Sequence, residues 1–428
     1  METNKTATGF LGNIILAWKS IGKRLTDPSL KWPITIFLVG VLIRIILMPF
    51  AVHIDMLSAT WREHFLAFAS INQAAGVIEY LTSLYVCLAK PLLHSLPDIL
   101  DPLRRDPGEG SVSYAIFVQS TEAMRSLFIL KLPYLIADII FAVFVWKSFG
   151  AMKNRSLALL LWAFNPFLIY AVYLWGRYDI FPILFSFMAF YFAKRELKYF
   201  SLIAILIAVY LRISFVIFLP FFLIYYWEEI RRWWKYILAI IILAVVFSKG
   251  MIFAYVGGSF LDYALKGQFG NGFNDVGLLV IVFPLILFFF YKNCLNNRSF
   301  QKLVYFSLIG IIAFYALSYF HPHYIAWITA PLLFAIVLSR RILWPTIILA
   351  AVYFILVDVY FGPARTIGLF SPLNPGFFGT VSGLTDRFFL RSWNPDTLIT
   401  LFHSIFVAIL AAIAFILYKG KDLPNENK

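Results

Sequence analysis

From Trp32 to Tyr418 the chain returns repeatedly to apolar runs of 15–20 residues. A helix of that length crosses about 30 Å of hydrocarbon, where each backbone N–H and C=O has to be satisfied inside the helix itself. Charged residues are 14% of the 428 and hydrophobic ones 61%, whereas soluble domains carry roughly a quarter charged. The expected fold class is therefore all-α, a polytopic transmembrane helical bundle. Spans are expected at about 34–52, 131–147, 156–173, 179–193, 199–212, 214–227, 235–254, 276–291, 303–319, 323–339, 342–358 and 397–418. Twelve spans put both termini on one side.

Residues 1–33 read as a cytoplasmic interfacial segment, with Trp18, Lys19, Lys23 and Arg24 at the surface. They lack the compact apolar stretch followed by small residues that marks a cleavable signal. Residues 34–418 form a single membrane domain and 419–428 a cytoplasmic tail.

The cations set the orientation. One side collects Lys147, Lys153 and Arg155; Lys194, Arg195 and Lys198; Arg231, Arg232 and Lys235; Lys292, Arg298 and Lys302; Arg340 and Arg341; Lys419 and Lys421. With the two termini it holds 22 of the 36 lysines and arginines but 7 of the 22 acids. By the positive-inside rule that side is cytoplasmic. Topology thus accounts for the net charge of +14, without a nucleic-acid partner. The stretch 76–96 contains Glu79 and Lys90 with ten uncharged residues between them, which suits an interfacial or re-entrant helix better than a span. Cys87 and Cys294 are then on opposite faces and cannot pair, and no C-x-x-C pattern occurs.

Cytoplasmic connections are short and basic, whereas three outer segments, 53–130, 255–275 and 359–396, are long. In 56–68 the apolar Leu57, Trp61, Phe65 and Phe68 recur at spacings of three and four, one face of a helix. The segment "FGPARTIGLFSPLNPGFFGTVSGLTDRFF" is rich in Gly and Pro and so irregular. Long loops in a compact protein are usually functional or disordered; these are aromatic and apolar, and are expected to cap the bundle on its outer side.

Ionisable groups at membrane depth cost at least about 2–3 kcal/mol each and mark function by default. Here they gather at the outer edge. His53 and Asp55 follow span 1 and Lys131 opens span 2. Arg177, Tyr178 and Asp179 separate spans 3 and 4. Arg212 ends span 5, Lys249 is near the end of span 7, and His321, His323 and Tyr324 precede span 10. Plainer roles exist for several: Arg212 and Lys249 as snorkelling cations, Asp138 as a same-face partner for Lys131, and the histidines as members of an aromatic belt with Tyr324 and Trp327. Arg44, near the middle of span 1, has no partner in this scheme.

Fixed cations at an interface suit a lipid-borne phosphate, which Arg binds as a fork and Lys as a point charge. A carboxylate beside them suits a general base for an incoming hydroxyl, the cations steadying the departing phosphate. Asp55 and Asp179 are the candidate catalytic acids. His53, Lys131, Arg177, Tyr178, Arg212, Lys249, His321, His323 and Tyr324 are the candidate substrate ligands. Together these residues fit an expected glycosyl transfer from a polyprenyl-phosphate sugar, in one inverting displacement, to a glycolipid, glycan or protein hydroxyl. No glycine-rich nucleotide loop is present. A divalent metal, Mg or Mn, is an open question, since one His and one Asp are too few ligands by themselves. Two other classes remain. A lipid-linked glycan polymerase or ligase uses similar outer-face cations, and a transporter or flippase places its site near the midplane.

These segments resemble the membrane glycosyltransferases of the GT-C fold. "HIDM", with Asp55 just after span 1, is similar to their first outer loop. "KLPYLIADIIFAVFVW" (131–146), "NPFLIYAVYLWGRYDIFPILFSFMAFYFAKRE" (165–196) and "HPHYIAWITAPLL" (321–333) resemble stretches of the mannosyltransferase-like branch. The resemblance implies an integral enzyme that uses a polyprenyl- or dolichyl-phosphate-linked hexose, with the first-loop acid, here Asp55, as base. Many members carry adjacent acids or D-x-D in that loop, where this chain has His53-Ile54-Asp55.

Overall fold

The computed structural model describes residues 28–57, 84–85, 88–93, 112–231, 278–318, 321–379 and 395–420. Among them there are helices and no strands. The longer elements are α1 (Pro28–Leu47), α2 (Val112–Gln119), α3 (Ala123–Ser148), α4 (Met152–Ala163), α5 (Ile180–Lys194), α6 (Lys198–Leu211), α7 (Leu219–Tyr225), α8 (Leu278–Asn296), α9 (Phe300–Leu317), α10 (Thr329–Leu338), α11 (Leu343–Phe361) and α12 (Pro395–Gly420). Among the described residues seven segments are long and apolar enough to cross a membrane: those of α1, α3, α8, α9, α11 and α12, and α4 continued to Leu174. The protein is an integral membrane protein. Lys249, the span expected at 235–254, the 255–275 segment, Cys87, and Trp61, Phe65 and Phe68 lie outside the described residues.

Apolar helices in lipid gain nothing by packing on one another through hydrophobicity alone, so polar links and close fit decide the arrangement. Helix α3 packs on α4 and α5; α5 packs on α6 and α10, and α9 on α8, α10 and α12. Helix α3 runs through Pro133 without breaking. Proline has no N–H to give the Ile129 carbonyl one turn back, and the Tyr85 hydroxyl donates to that carbonyl instead, at 2.6 Å. At Gly40 a methyl group would collide with Trp162 and Ala163, which lets α1 lie tightly against α4.

The basic loops meet at one end of the bundle and are tied there. Lys194 Nζ donates to the Ser148 carbonyl at 2.8 Å, Lys302 Nζ to those of Asn293 and Asn297, and Arg298 grips both oxygens of Glu229. The opposite end carries His53, Asp55, Arg177, Asp179, Arg212 and the 321–324 turn. Helices α5 and α6 have 15 and 14 residues, roughly 22 Å at 1.5 Å per residue. That is about 8 Å short of a hydrocarbon core. With their basic ends at the surface, their other ends, where Asp179 and Arg212 sit, stop below the opposite surface.

Arg44 has a partner after all, though not from its own neighbourhood. Its Nε lies 2.5 Å from Asp138 Oδ2, and both side chains are wholly buried. The guanidinium also donates to the carbonyls of Gly40, Ala163 and Trp162 at 2.8–3.0 Å. Asp138 receives the Trp162 indole at 2.7 Å and the Tyr173 hydroxyl at 2.9 Å. Asp138 therefore pairs with Arg44 and not with Lys131. The network ties α1, α3 and α4 together.

Removing one partner of such a pair strands a buried charge. Asp138→Ala should lower stability by about 3–5 kcal/mol, seen as a lower melting temperature in detergent. Arg44→Met combined with Asp138→Leu should recover most of that loss. A single variant that melts like wild type would mean the network does not hold the helices together.

Candidate functional site

The stretch that positions the site begins where α4 fails. Pro166 cannot supply an N–H, and Asn165 caps the new turn, its Oδ1 accepting from the Leu168 N–H at 3.0 Å. The chain then widens into a π-helical segment, Ile169–Leu174, in which the Trp175 N–H reaches back to the Tyr170 carbonyl at 2.8 Å. Such widened turns recur at functional sites because they re-aim side chains. Gly176 follows at φ +87°, and any side chain there would run into Met56. This turn aims Trp175 at one side and Arg177 at the other. Asp179 then starts α5.

Residues 52–55 run beside this turn: the His53 N–H donates to the Trp175 carbonyl at 3.2 Å and the Val52 N–H to that of Leu369 at 2.9 Å. The His53 ring stacks on Trp175, centroids 3.8 Å apart. Its Nδ1 is 3.1 Å from the Asp55 N–H and 3.4 Å from Asp55 Oδ2. Nδ1 serves one of these at a time: a neutral ring accepts the N–H, and an imidazolium donates to the carboxylate. Trp175 Nε1 donates to Oδ2 at 3.3 Å. The Asp55 side chain is 36% exposed, so it can meet a ligand. Burial opposes its charge, but the bond to His53, the positive charges of His53 and Arg177 and the Trp175 donor prevail, holding the carboxyl well below its usual range.

The second acid is different. Asp179 is completely buried. Its Oδ1 is 3.1 Å from Arg212 Nε and accepts from Trp327 Nε1 at 3.1 Å. The Arg212 guanidinium lies 5.1–5.6 Å from the ring centres of Tyr324, Trp327 and Tyr178, so it points into the protein and does not snorkel. The 321–324 turn is pinned by buried tyrosines, Tyr315 donating to the Tyr324 carbonyl at 2.7 Å and Tyr353 to that of Pro322. His323 is 2% exposed, between Trp175 and Tyr324, which is not a belt position. His321 is held down to about 4: burial disfavours its cation, Asp55 pulls the other way, and Arg365, Arg177 and Arg212 reinforce burial.

Seven of the expected ligands, His53, Arg177, Tyr178, Arg212, His321, His323 and Tyr324, thus gather with Asp55 and Asp179. Lys131 does not join them. It is fully buried, and its ammonium donates to the carbonyls of Met48, Ala51 and Tyr173 at 3.1, 2.5 and 2.7 Å. All three protons are engaged at the carbonyl ends of α1 and the π-helical segment, so its role is structural. Trp175, Gly176 and Tyr134 belong to the site and were not among the expected residues; Trp175 and Gly176 sit in the same "YLWGRYD" that drew attention to Arg177.

Buried polar atoms without a partner among the described residues occur at Ser186, Tyr226, Ser307 and Thr329, and several are gathered here. Arg177 Nε, Asp179 Oδ2, the Tyr134 hydroxyl and both ring nitrogens of His323 are buried without a hydrogen-bond partner among the described residues. Buried polar atoms are nearly always paired, and an unpaired one costs about 1–3 kcal/mol. Among the described residues no three His, Cys, Asp or Glu side chains converge to hold an ion. The chain matches no protein-family model, no curated protein and no solved structure.

Two expectations rest on this geometry. Gly176→Ala adds a strained conformation and a collision with Met56; it should destabilise by about 1–3 kcal/mol and reduce ligand binding at Arg177, read by melting and by titration. For His321, the native ring stays neutral below the unfolded value of about 6.5 while the unfolded chain takes up a proton. Stability should therefore decline as pH falls from about 6.5 toward about 4; the Asp55 contribution is present above its unfolded value of about 4 and is lost only in stronger acid. His321→Gln should reduce the decline in melting temperature across that window. An unchanged slope would place the acid response elsewhere.

Proposed function

We propose that the chain is a GT-C-like glycosyltransferase that moves a hexose from a polyprenyl-phosphate donor to an acceptor hydroxyl at the outer face of a cell membrane. In this reading it has about twelve spans, both termini are cytoplasmic, and the basic end of the bundle faces the cytoplasm. The observation that carries it is the meeting of an accessible carboxylate, Asp55, with a partly exposed guanidinium, Arg177, at the ends of helices too short to reach the surface.

Each residue then has a task. Arg177 holds the phosphate and steadies the charge that grows on it as the bond to the anomeric carbon breaks. The acceptor oxygen attacks the opposite face, so the anomeric configuration inverts. Asp55 takes the acceptor's proton. A carboxylate held so far below its usual range is a weak base, and a weak base is enough here. The transition state resembles an oxocarbenium ion, and a hydroxyl that has begun to bond to it becomes strongly acidic, so proton transfer comes late. Trp175 and His53 fix the Asp55 carboxylate. Asp179 orients Arg212 and the Tyr178–Tyr324–Trp327 wall, and a second base is unnecessary.

A transporter or flippase would want its charges near the midplane and free to exchange partners. The deep pair, Arg44 and Asp138, is bonded on every side. That weighs against a moving charge.

The test is transfer from a radiolabelled polyprenyl-phosphate hexose in detergent, against mixed glycolipid acceptors, with and without EDTA. Asp55→Asn should lower turnover by about 10²–10⁴-fold while the folded variant still binds donor like wild type; its melting temperature falls by the stability that the Asp55 charge contributes. Arg177→Ala should weaken donor binding as well as turnover. Full activity in Asp55→Asn would remove it from the role of base, and failure of the wild type to bind donor would overturn the class. Loss of transfer in EDTA would assign a divalent ion.

A further inference from the structure

Three polar residues share one face of α3: Lys131, Tyr134 and Asp138, at spacings of three and four. The structure treats them unequally. Lys131 has three carbonyls, and Asp138 has an arginine, an indole and a phenol. Tyr134, between them and fully buried, has no hydrogen-bond partner for its hydroxyl among the described residues. Its ring sits edge-on to Phe181 at 6.1 Å, and it lies within electrostatic range of Arg177, Tyr178 and Asp179. A buried tyrosine hydroxyl normally finds a partner. A helix face that satisfies both neighbours and leaves this one open has kept it for a ligand.

The chemistry of the ligand follows from the atoms around Arg177 that share this condition. Asp179 Oδ2 can only accept, Arg177 Nε can only donate, and the Tyr134 hydroxyl and the His323 imidazole can each do both. An anionic group would face the Asp179 carboxylate, and an acyl chain would leave all of them unsatisfied. A neutral ring bearing several hydroxyls meets every one. We propose that Tyr134, Asp179 and His323 are the residues that read the hydroxyls of the transferred hexose. The inference rests on the transferase reading above and adds to it the side chains that recognise the sugar. Arg177 is placed where the pocket meets the phosphate.

The experiment compares two probes, a polyprenyl-phosphate hexose and the same polyprenyl phosphate without its sugar, in direct binding to detergent-solubilised protein. Tyr134→Phe deletes one oxygen and keeps the ring. It should bind the sugared probe about 10-fold more weakly and the bare lipid phosphate like wild type. Its melting temperature should be unchanged or raised, since an unpaired buried hydroxyl has been removed. Arg177→Ala should weaken both probes. Probes lacking single sugar hydroxyls, bound to wild type, give a second reading that needs no variant. At least one deoxy position should lose a similar factor, and that loss should vanish in Tyr134→Phe. Wild-type binding of both probes, with Tyr134→Phe and every deoxy probe unaffected, would overturn the sugar pocket and leave the transferase reading standing. Binding of neither probe by wild type would overturn both.

Discussion

The ion pair between Arg44 and Asp138 is the constraint on which the rest of the arrangement hangs. A guanidinium in mid-bundle is tolerable only when its charge and all its donors are met. Here one side chain joins the carboxylate of α3 to three carbonyls, two of them at the end of α4. In a continuing helix residue 166 would serve the Trp162 carbonyl, but Pro166 has no N–H; that carbonyl takes the Asn165 N–H at 3.3 Å and has room for the arginine, as does that of Ala163. The broken helix and the buried charge therefore answer one another. The break frees acceptors, and the arginine uses them.

From that anchor the chain can afford the widened turn that follows. Tyr173 is held through its hydroxyl by Asp138 and through its carbonyl by Lys131, so the π-helical segment is fixed from both ends before Gly176 turns it. Lys131 also holds the Met48 and Ala51 carbonyls, which sets residues 52–55 beside the same turn. Arg44 and Lys131 are thus positioning residues with no ligand of their own. They bring Asp55 and Arg177, 122 positions apart in sequence, together at the turn that carries Trp175.

The helices were largely legible because the demand for about 20 apolar residues is local and strong. The expected run 131–147 is the core of α3, and 342–358 that of α11; the ends differ because helices continue past the apolar stretch, as α3 does back to Ala123. The run 156–173 was read as one helix, although Asn165-Pro166 breaks it. The partner of Asp138 was not legible. Same-face spacing pointed to Lys131, but spacing within a helix reports proximity only along that helix, and Arg44 arrives from 94 residues away. For the same reason Lys131 passed for a ligand. Sequence marks a costly buried cation and does not say whether carbonyls or a substrate satisfy it. Asp55, Arg177, Asp179 and the 321–324 turn were found because each interrupts an apolar pattern. Tyr134 was missed because a tyrosine interrupts nothing.

That difference separates the two kinds of polar residue in this bundle. In the polar groups that hold the fold every polar atom has a partner: the three nitrogens of Arg44, the Lys131 ammonium and both oxygens of Asp138. Those at the short ends of α5 and α6 include atoms that have none among the described residues. Low dielectric makes each unmet atom expensive, and it also makes each one worth more to a ligand that meets it. Stopping α5 and α6 about 8 Å short of the surface creates a place below the interface where such atoms can be gathered. A water-rich mouth at the surface would have lessened both the penalty and the gain. His53, Arg177 and Trp175 hold the Asp55 charge against the cost of burial, so that charge is secure but its basicity is low. A reaction whose nucleophile becomes acidic only as the bond forms is suited to such a carboxylate, whereas one that needs a free alkoxide first is not.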